Sequence, residues 1–242
     1  MTSYYRTEAF VFKKEDRLEA DRIFLVFTKD FGRIEIFAKS IRNITSKLRG
    51  GIEIFSLSEI EFIQGKNRKT LIDTLSIEKF KGICQIPEKF EIANNISNLI
   101  DNFIKGQEKD DDIFNLLNET FNKLNNCQPL TAKCQLIYYY FFWNLVFILG
   151  YGPELSKCAG CQQKLNPYNL YFSNREGGVI CKSCSVKNKE AIEVNSDIVK
   201  ILRLILKKDW NILSKLKMEI SIQKSLKEIS YNYCSFLFQI YE

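Results

Sequence analysis

Residues 22–38 read Arg22-Ile23-Phe24-Leu25-Val26-Phe27-Thr28-Lys29-Asp30-Phe31-Gly32-Arg33-Ile34-Glu35-Ile36-Phe37-Ala38. An apolar run, a turn at Asp30-Phe31-Gly32, and a second run in which Ile34, Ile36 and Ala38 alternate with Glu35 and Phe37 predict two adjacent strands. Working outward, Tyr5–Lys13 is β-rich, and Phe55–Ile63 and Thr70–Phe80 are joined by the turn Gly65-Lys66-Asn67-Arg68-Lys69. Five short strands so close together predict a small closed or nearly closed barrel.

From Phe90 the apolar period changes from two to 3.6. Ile92, Ile96, Leu99, Ile100 and Phe103 share one helical face, and Ile113, Leu116, Leu117, Phe121 and Leu124 share another. The second is preceded by Asp110, Asp111 and Asp112, acids that suit a helix N-terminus. Pro129 and Gly150-Tyr151-Gly152-Pro153 bracket a third helix. Its run Leu136–Leu149, interrupted by Asn144, is too short for a membrane span and is expected to be a buried core helix. Further stripes lie at Ile198, Ile201, Leu202 and Ile205, and from Ile222 to Ile240. The expected organisation is a barrel at 1–80, a first helical part at 81–154, a cysteine module at 155–190 and a second helical part at 191–242, an α+β multidomain chain.

The cysteine module holds Cys158-Ala159-Gly160-Cys161 and Cys181-Lys182-Ser183-Cys184, with nineteen residues between the pairs. That spacing is the two-knuckle zinc pattern. Cysteines three apart can present both sulfurs on one side of a tight turn, so each pair offers half a tetrahedron. Four thiolates saturate the metal and leave no position for a reactive water, which predicts one structural Zn2+ at Cys158, Cys161, Cys181 and Cys184. A redox C-x-x-C motif wants a single pair near a βαβ unit, which this loop-rich segment does not offer. Cys84, Cys127, Cys134 and Cys234 are isolated, and Cys134 and Cys234 read as small core residues.

Between the third and fourth strands, residues 39–50 hold Lys39, Arg42, Lys47 and Arg49 and no acid. Interleaved hydroxyls and following glycines let side chains and backbone N–H groups both meet phosphates. These four are the candidate nucleic-acid contacts, with Phe31, Phe37 and Phe55 as candidate stacking rings. A second basic stretch, Lys200, Arg203, Lys207, Lys208, Lys215 and Lys217, reads equally as a solvated helix face.

The 242-residue chain has a net charge of +6 and no histidine. The charge favours acidic partners such as nucleic acid. Without histidine, the commonest acid–base and nucleophile-activating chemistry is excluded, and no other catalytic constellation is visible, so a non-enzyme is expected. No targeting segment is recognisable at Met1–Phe10, which points to a reducing, cytoplasmic setting.

Several of these residues occur in a familiar order. Glu19-Ala20-Asp21-Arg22, Thr28 and Gly32, Ala38-Lys39-Ser40-Ile41-Arg42 and Ser46-Lys47-Leu48 resemble the N-terminal pattern of the RecO family of bacterial DNA repair proteins. Leu149-Gly150-Tyr151-Gly152-Pro153-Glu154-Leu155 with Cys158 and Cys161, and Gly177-Gly178-Val179-Ile180-Cys181 with Cys184, resemble its C-terminal part. Ser40 and Gln162 stand where that family usually has glycine. The resemblance implies an N-terminal OB-fold and a helical domain with an inserted four-cysteine zinc module. It also implies binding of single- and double-stranded DNA, annealing of complementary strands, and cooperation with RecR in loading RecA onto strands covered by single-strand-binding protein (SSB). A bacterial, nucleoid-associated place in recombination and the DNA damage response follows, with no membrane and no small-molecule substrate. Two other readings remain open: a scaffold whose helices, Tyr138 to Trp143 included, hold a partner tail such as the SSB C-terminal peptide, and a zinc-ribbon RNA-binding factor.

Overall fold

The computed structural model describes residues 3–128 and 132–241, and Pro129, expected ahead of the third helix, lies outside them. The chain divides into two compact units, Met1–Leu130 and Thr131–Glu242.

In the first unit, β1 (Tyr4–Arg17), β2 (Asp21–Thr28), β3 (Gly32–Ala38), β4 (Leu57–Gln64) and β5 (Lys69–Glu78) close a barrel in the order β1-β2-β3-β5-β4. All neighbours are antiparallel except β3 and β5, which meet in parallel at Ile36–Lys69 and Phe37–Thr70. The five strands match the five read from the sequence. Period two sends Ala9, Val11, Phe24, Val26, Ile34, Ile36, Ala38, Ile60, Phe62 and Leu71 into one core. The opposite face of β1 is also buried, because Phe10 packs 4.3 Å from Phe121, ring centre to ring centre. Phe121 belongs to α3 (Asp111–Asn126), which follows α1 (Lys81–Cys84) and α2 (Pro87–Phe103). The expected acidic start of α3 is a cap: Asp110 accepts a hydrogen bond from the Ile113 N–H at 3.0 Å.

In the second unit, α4 (Ala132–Ile148) is the expected core helix, with Tyr140, Phe141, Phe142 and Trp143 fully buried. Its interrupting polar residue is satisfied: the Asn144 amide donates to the carbonyls of Tyr140 at 2.8 Å and Ile205 at 3.1 Å. Among the described residues, no helix is long and apolar enough to cross a membrane. The cysteine segment is richer in structure than a loop. It carries β6 (Leu170–Ser173), β7 (Gly178–Cys181), α5 (Lys182–Ser185) and β8 (Ile192–Val194), with the three strands ordered β7-β6-β8. Three helices complete the unit: α6 (Ser196–Leu206), α7 (Trp210–Leu213) and α8 (Ile220–Tyr241). Phe172 of β6 anchors the small sheet against Trp143 and Tyr233, at 5.8 and 5.6 Å between ring centres. Cys234 is a buried free thiol and Cys134 is buried, as expected of core residues, but Cys127 and Cys134 do not stand as free thiols.

Candidate metal centre and nucleic-acid interface

The two C-x-x-C turns meet. The Sγ atoms of Cys158, Cys161, Cys181 and Cys184 all lie within 4.8 Å of one another. The first knuckle is closed by the Gln162 N–H donating to the Cys158 carbonyl at 2.8 Å and by the Cys158 N–H donating to the Gln163 carbonyl at 2.9 Å. The second hangs on β7 and is tied to the first by the Ala159 N–H donating to the Val179 carbonyl at 2.8 Å. Gly160 is a matter of space, since a Cβ there would meet the Cys184 Sγ at 3.2 Å.

The sulfurs are electrostatically unlike. Burial opposes ionisation of Cys158, but backbone N–H donors from Cys161 and Cys181, at 3.5 and 3.3 Å, outweigh it and bring the thiol down to about 6. Burial and the sulfurs of Cys181, Cys158 and Cys161 push Cys184 up to about 12. Four thiols this close cannot all ionise unless a cation offsets their mutual repulsion. The sulfur-only donor set, the N–H donors at Cys158 and the space kept by Gly160 all fit a metal ion.

The four cations of the 39–50 loop are exposed, and two of them come together with partners from elsewhere. Arg42 and Arg49 line a cleft of about 340 Å³ with Lys14 of β1 and Arg22 of β2. Lys39 and Lys47 lie on the same loop but do not line that cleft. Asp16 bridges two of its cations, accepting from Arg22 Nε at 2.7 Å and lying 3.6 Å from Arg42 Nε. The hydrogen bond from Arg22 comes first in holding the Asp16 carboxyl below its ordinary value. Sequence reasoning missed Lys14 and Arg22 because only the β1–β2 register brings them to the loop. Arg22 nonetheless sits in the Glu-Ala-Asp-Arg run already singled out.

The stacking candidates separate. Phe55 is fully buried and so is closed to a base, whereas Phe31 is half-buried, 5.3 Å from Tyr5 and 5.6 Å from Phe62 between ring centres. Phe37 points outward from the barrel, alternating with the buried Ile36 and Ala38. In the second basic stretch, Arg203 donates through both Nε, at 3.1 Å, and Nη2 to the Leu155 carbonyl, and Lys200 pairs with Asp197 at 2.8 Å. These two serve the second unit's own structure. Of Tyr138 to Trp143, the stretch expected to offer a groove, Tyr139 to Trp143 are buried and Tyr138 is half-buried.

Both positions that depart from the familiar glycine pattern are left-handed: Ser40 has φ 52° and Gln162 has φ 63°. A glycine would adopt either without strain. The Ser40 N–H is satisfied by Asp21 Oδ1 at 2.7 Å.

Two family models match the chain, one described as Recombination protein O N terminal over residues 1–80 and one as Recombination protein O C terminal over residues 86–240. A protein of Dehalococcoides mccartyi named DNA repair protein RecO is 34% identical over 223 residues, covering 92% of this chain and 86% of the relative. Proteins of the same name from Caldanaerobacter subterraneus and Alkaliphilus metalliredigens are 26% and 27% identical, covering 95% and 94% of this chain and 91% of each relative.

Proposed function

The chain belongs to the RecO family of DNA repair and recombination proteins, with both family segments matched in order, and from that premise we propose that it is a recombination mediator. In this reading it binds single- and double-stranded DNA, anneals complementary strands and acts with RecR to load RecA onto SSB-covered strands in the bacterial cytoplasm. Annealing makes and breaks no covalent bond. A cationic surface lowers the repulsion between two phosphate chains and holds them close, so the reading needs no catalytic group.

The observation that carries it is the cleft where Arg42 and Arg49 stand beside Lys14 and Arg22 on the barrel wall. Lys39 and Lys47 extend the same positive loop along a strand's path. Cys158, Cys161, Cys181 and Cys184 would hold one Zn2+, whose contribution is structural: a saturated tetrathiolate cross-links the two knuckles.

The test is the salt dependence of oligonucleotide binding. Each phosphate contact on a single strand contributes roughly −0.7 to the slope of log K against log salt concentration. Alanine at Lys39, Arg42, Lys47 and Arg49 together is expected to flatten the slope by about 1.4 to 2.8, the equivalent of two to four contacts. An unchanged slope would remove the loop from the interface.

One observation favours adding a partner tail to this reading. In the second unit, a groove of about 190 Å³ has Met218, Ile220 and Leu226 beside Lys224 and Lys227. Apolar side chains beside two lysines suit an acidic peptide with an apolar end, such as the SSB C-terminus. Replacing both lysines with glutamate should abolish saturable binding of that peptide and leave DNA affinity in place.

A further inference from the structure

Of the four cations in the Arg42–Arg49 cleft, two already have an anion. Arg22 Nε donates to one carboxylate oxygen of Asp16 at 2.7 Å, and Arg42 Nε lies 3.6 Å from the other oxygen. Among the described residues, Lys14 and Arg49 make no ion pair. Glu53, the one carboxylate in the lining, stands 3.8 Å from Lys79 and pairs with none of the four.

Arg22 is the cation that most needs a counter-charge. It stands opposite Asp16 in the β1–β2 register, its side chain is 23% exposed, and its guanidinium carbon lies 5.8 Å from the centre of the buried Phe24 ring. Ile41 and Ile52, both buried, also line the cleft. A guanidinium beside such apolar surface is poorly hydrated and costly to leave unpaired. Asp16, by contrast, does not hold the cleft's shape. The Arg42 N–H donates to the Ala20 carbonyl at 3.0 Å and the Ser40 N–H to Asp21 Oδ1 at 2.7 Å, which ties the loop to the β1–β2 turn. Arg22 is fixed by its place in β2. The Asp16 side chain is itself 49% exposed, so it can turn into water without opening the barrel.

We propose that Asp16 is a resident counter-ion that a DNA phosphate displaces, and that it sets the threshold for entry to the cleft. A carboxylate and a phosphodiester each present two anionic oxygens, and arginine pairs with both in the same way. An isolated anion that takes the place of Asp16 exchanges one charge pair for another and gains little. A strand also brings neighbouring phosphates to Lys14 and Arg49, which have no such partner, and that gain drives the exchange. The free protein therefore keeps Arg22 paired in the presence of small anions and yields it to a chain of phosphates.

This assignment rests on the DNA-binding reading above, and the experiment separates the two. Full-length wild type, Asp16→Asn and Glu53→Gln are titrated with one single-stranded oligonucleotide over a range of salt, with thermal melts alongside. Asparagine keeps an acceptor oxygen for Arg22 and removes the competing charge. Asp16→Asn is expected to bind the strand roughly 2- to 30-fold more tightly at low salt, the worth of two exposed ion pairs no longer to be broken. Its slope of log K against log salt concentration should steepen by about 0.7, because salt anions now sit on the arginines and are released by the strand. Glu53→Gln removes the same charge from the same cleft without touching either arginine, and should change affinity by less than about twofold. Replacing chloride with inorganic phosphate at equal ionic strength should weaken strand binding more in Asp16→Asn than in the wild type. A wild type that binds no oligonucleotide overturns the DNA-binding reading itself. Four results overturn the counter-ion and leave that reading standing: an Asp16→Asn variant that binds no more tightly than wild type, one that no longer melts as a folded protein, an equal gain in Glu53→Gln, or equal sensitivity of Asp16→Asn and wild type to phosphate.

Discussion

Between Tyr4 and Glu78 the chain closes a sheet around Phe24, Ile36 and Phe62, whereas between Cys158 and Cys184 it closes two turns around four sulfurs. The first interior is apolar and self-sufficient, because every strand of a closed barrel has two neighbours and an inward face. Surface that the helices do not cover is therefore free to carry charge, as in the cleft lined by Lys14, Arg22, Arg42 and Arg49. The second region has strands of three or four residues and borrows its apolar contact from Trp143 and Tyr233 through Phe172. Its interior is occupied by metal-binding chemistry. A region that organises itself around sulfur has less side-chain surface left for a ligand, which is why the proposed function looks to the barrel for DNA contacts and would give a bound zinc a structural part.

The largest expected effect comes from breaking the weaker side of this comparison. Structural zinc contributes an apparent free energy on the order of 10 kcal/mol in small metal-folded modules, and binding free energy there is folding free energy. Stripping the metal with a chelator is expected to expose the amides of Cys158, Ala159, Cys161, Gln162 and Cys181 to rapid hydrogen exchange. The amides of β2 and β3 should keep their protection. If barrel amides loosened together with the knuckles, the two regions would not be energetically separate and the comparison would fail.

A smaller effect probes what the barrel asks of its own helix. Asp101 of α2 accepts from Arg33 Nη2 at 2.5 Å and from Lys13 Nζ at 3.1 Å. Burial opposes its ionisation, yet the hydrogen bonds from Arg33 and Lys13 prevail and hold the carboxyl below its ordinary value. A depressed carboxylate stabilises the fold at pH values above its unfolded pKa, roughly 3.9, and that contribution fades as pH falls through the lower folded value. Asp101→Asn should therefore cost about 1–3 kcal/mol at neutral pH. The gap between variant and wild type should close on acidification below about pH 4, as followed by denaturant unfolding. A gap independent of pH would mean that the charge on Asp101 does not carry the effect.

How well each region can be read from sequence follows the same contrast. The barrel was legible because alternation extends over whole strands, as in Ile34-Glu35-Ile36-Phe37-Ala38, and the four-sulfur cluster because the spacing of the two C-x-x-C pairs points to it. The small sheet of β6, β7 and β8 was not legible, since runs of three or four residues are too short to show a period. Lys14 and Arg22 were missed as companions of Arg42 and Arg49 because strand register, which sequence does not state, is what joins them. Alternation put Phe37 on the face opposite Ile36, yet the sequence offered Phe31, Phe37 and Phe55 alike as stacking rings, because burial of a ring outside a regular alternation depends on what packs over it.

Ser40, in the barrel region, and Gln162, in the cysteine region, give the finest test, because both are non-glycine residues in the left-handed conformation. Such a conformation costs an ordinary L-residue about 1–2 kcal/mol. Glycine removes that cost but brings a more flexible unfolded chain, which returns about 0.4–1 kcal/mol of the gain. The net stabilisation from either Ser40→Gly or Gln162→Gly should be about 0.5–1 kcal/mol. The two should report in different observables. Ser40 lies in the turn just past β3, with its N–H already bonded to Asp21, so Ser40→Gly should raise the unfolding midpoint of the barrel and leave metal affinity unchanged. Gln162 follows directly on Cys161 and its side chain makes one exposed hydrogen bond, to the Ala159 carbonyl at 3.2 Å. Gln162→Gly should therefore tighten zinc binding by about two- to fivefold, the same free energy expressed as affinity, while the barrel midpoint stays where it is. If Gln162→Gly moved the barrel midpoint and not the zinc affinity, the knuckle turn would not be held by its metal, and the contrast between the two regions would lose its physical basis.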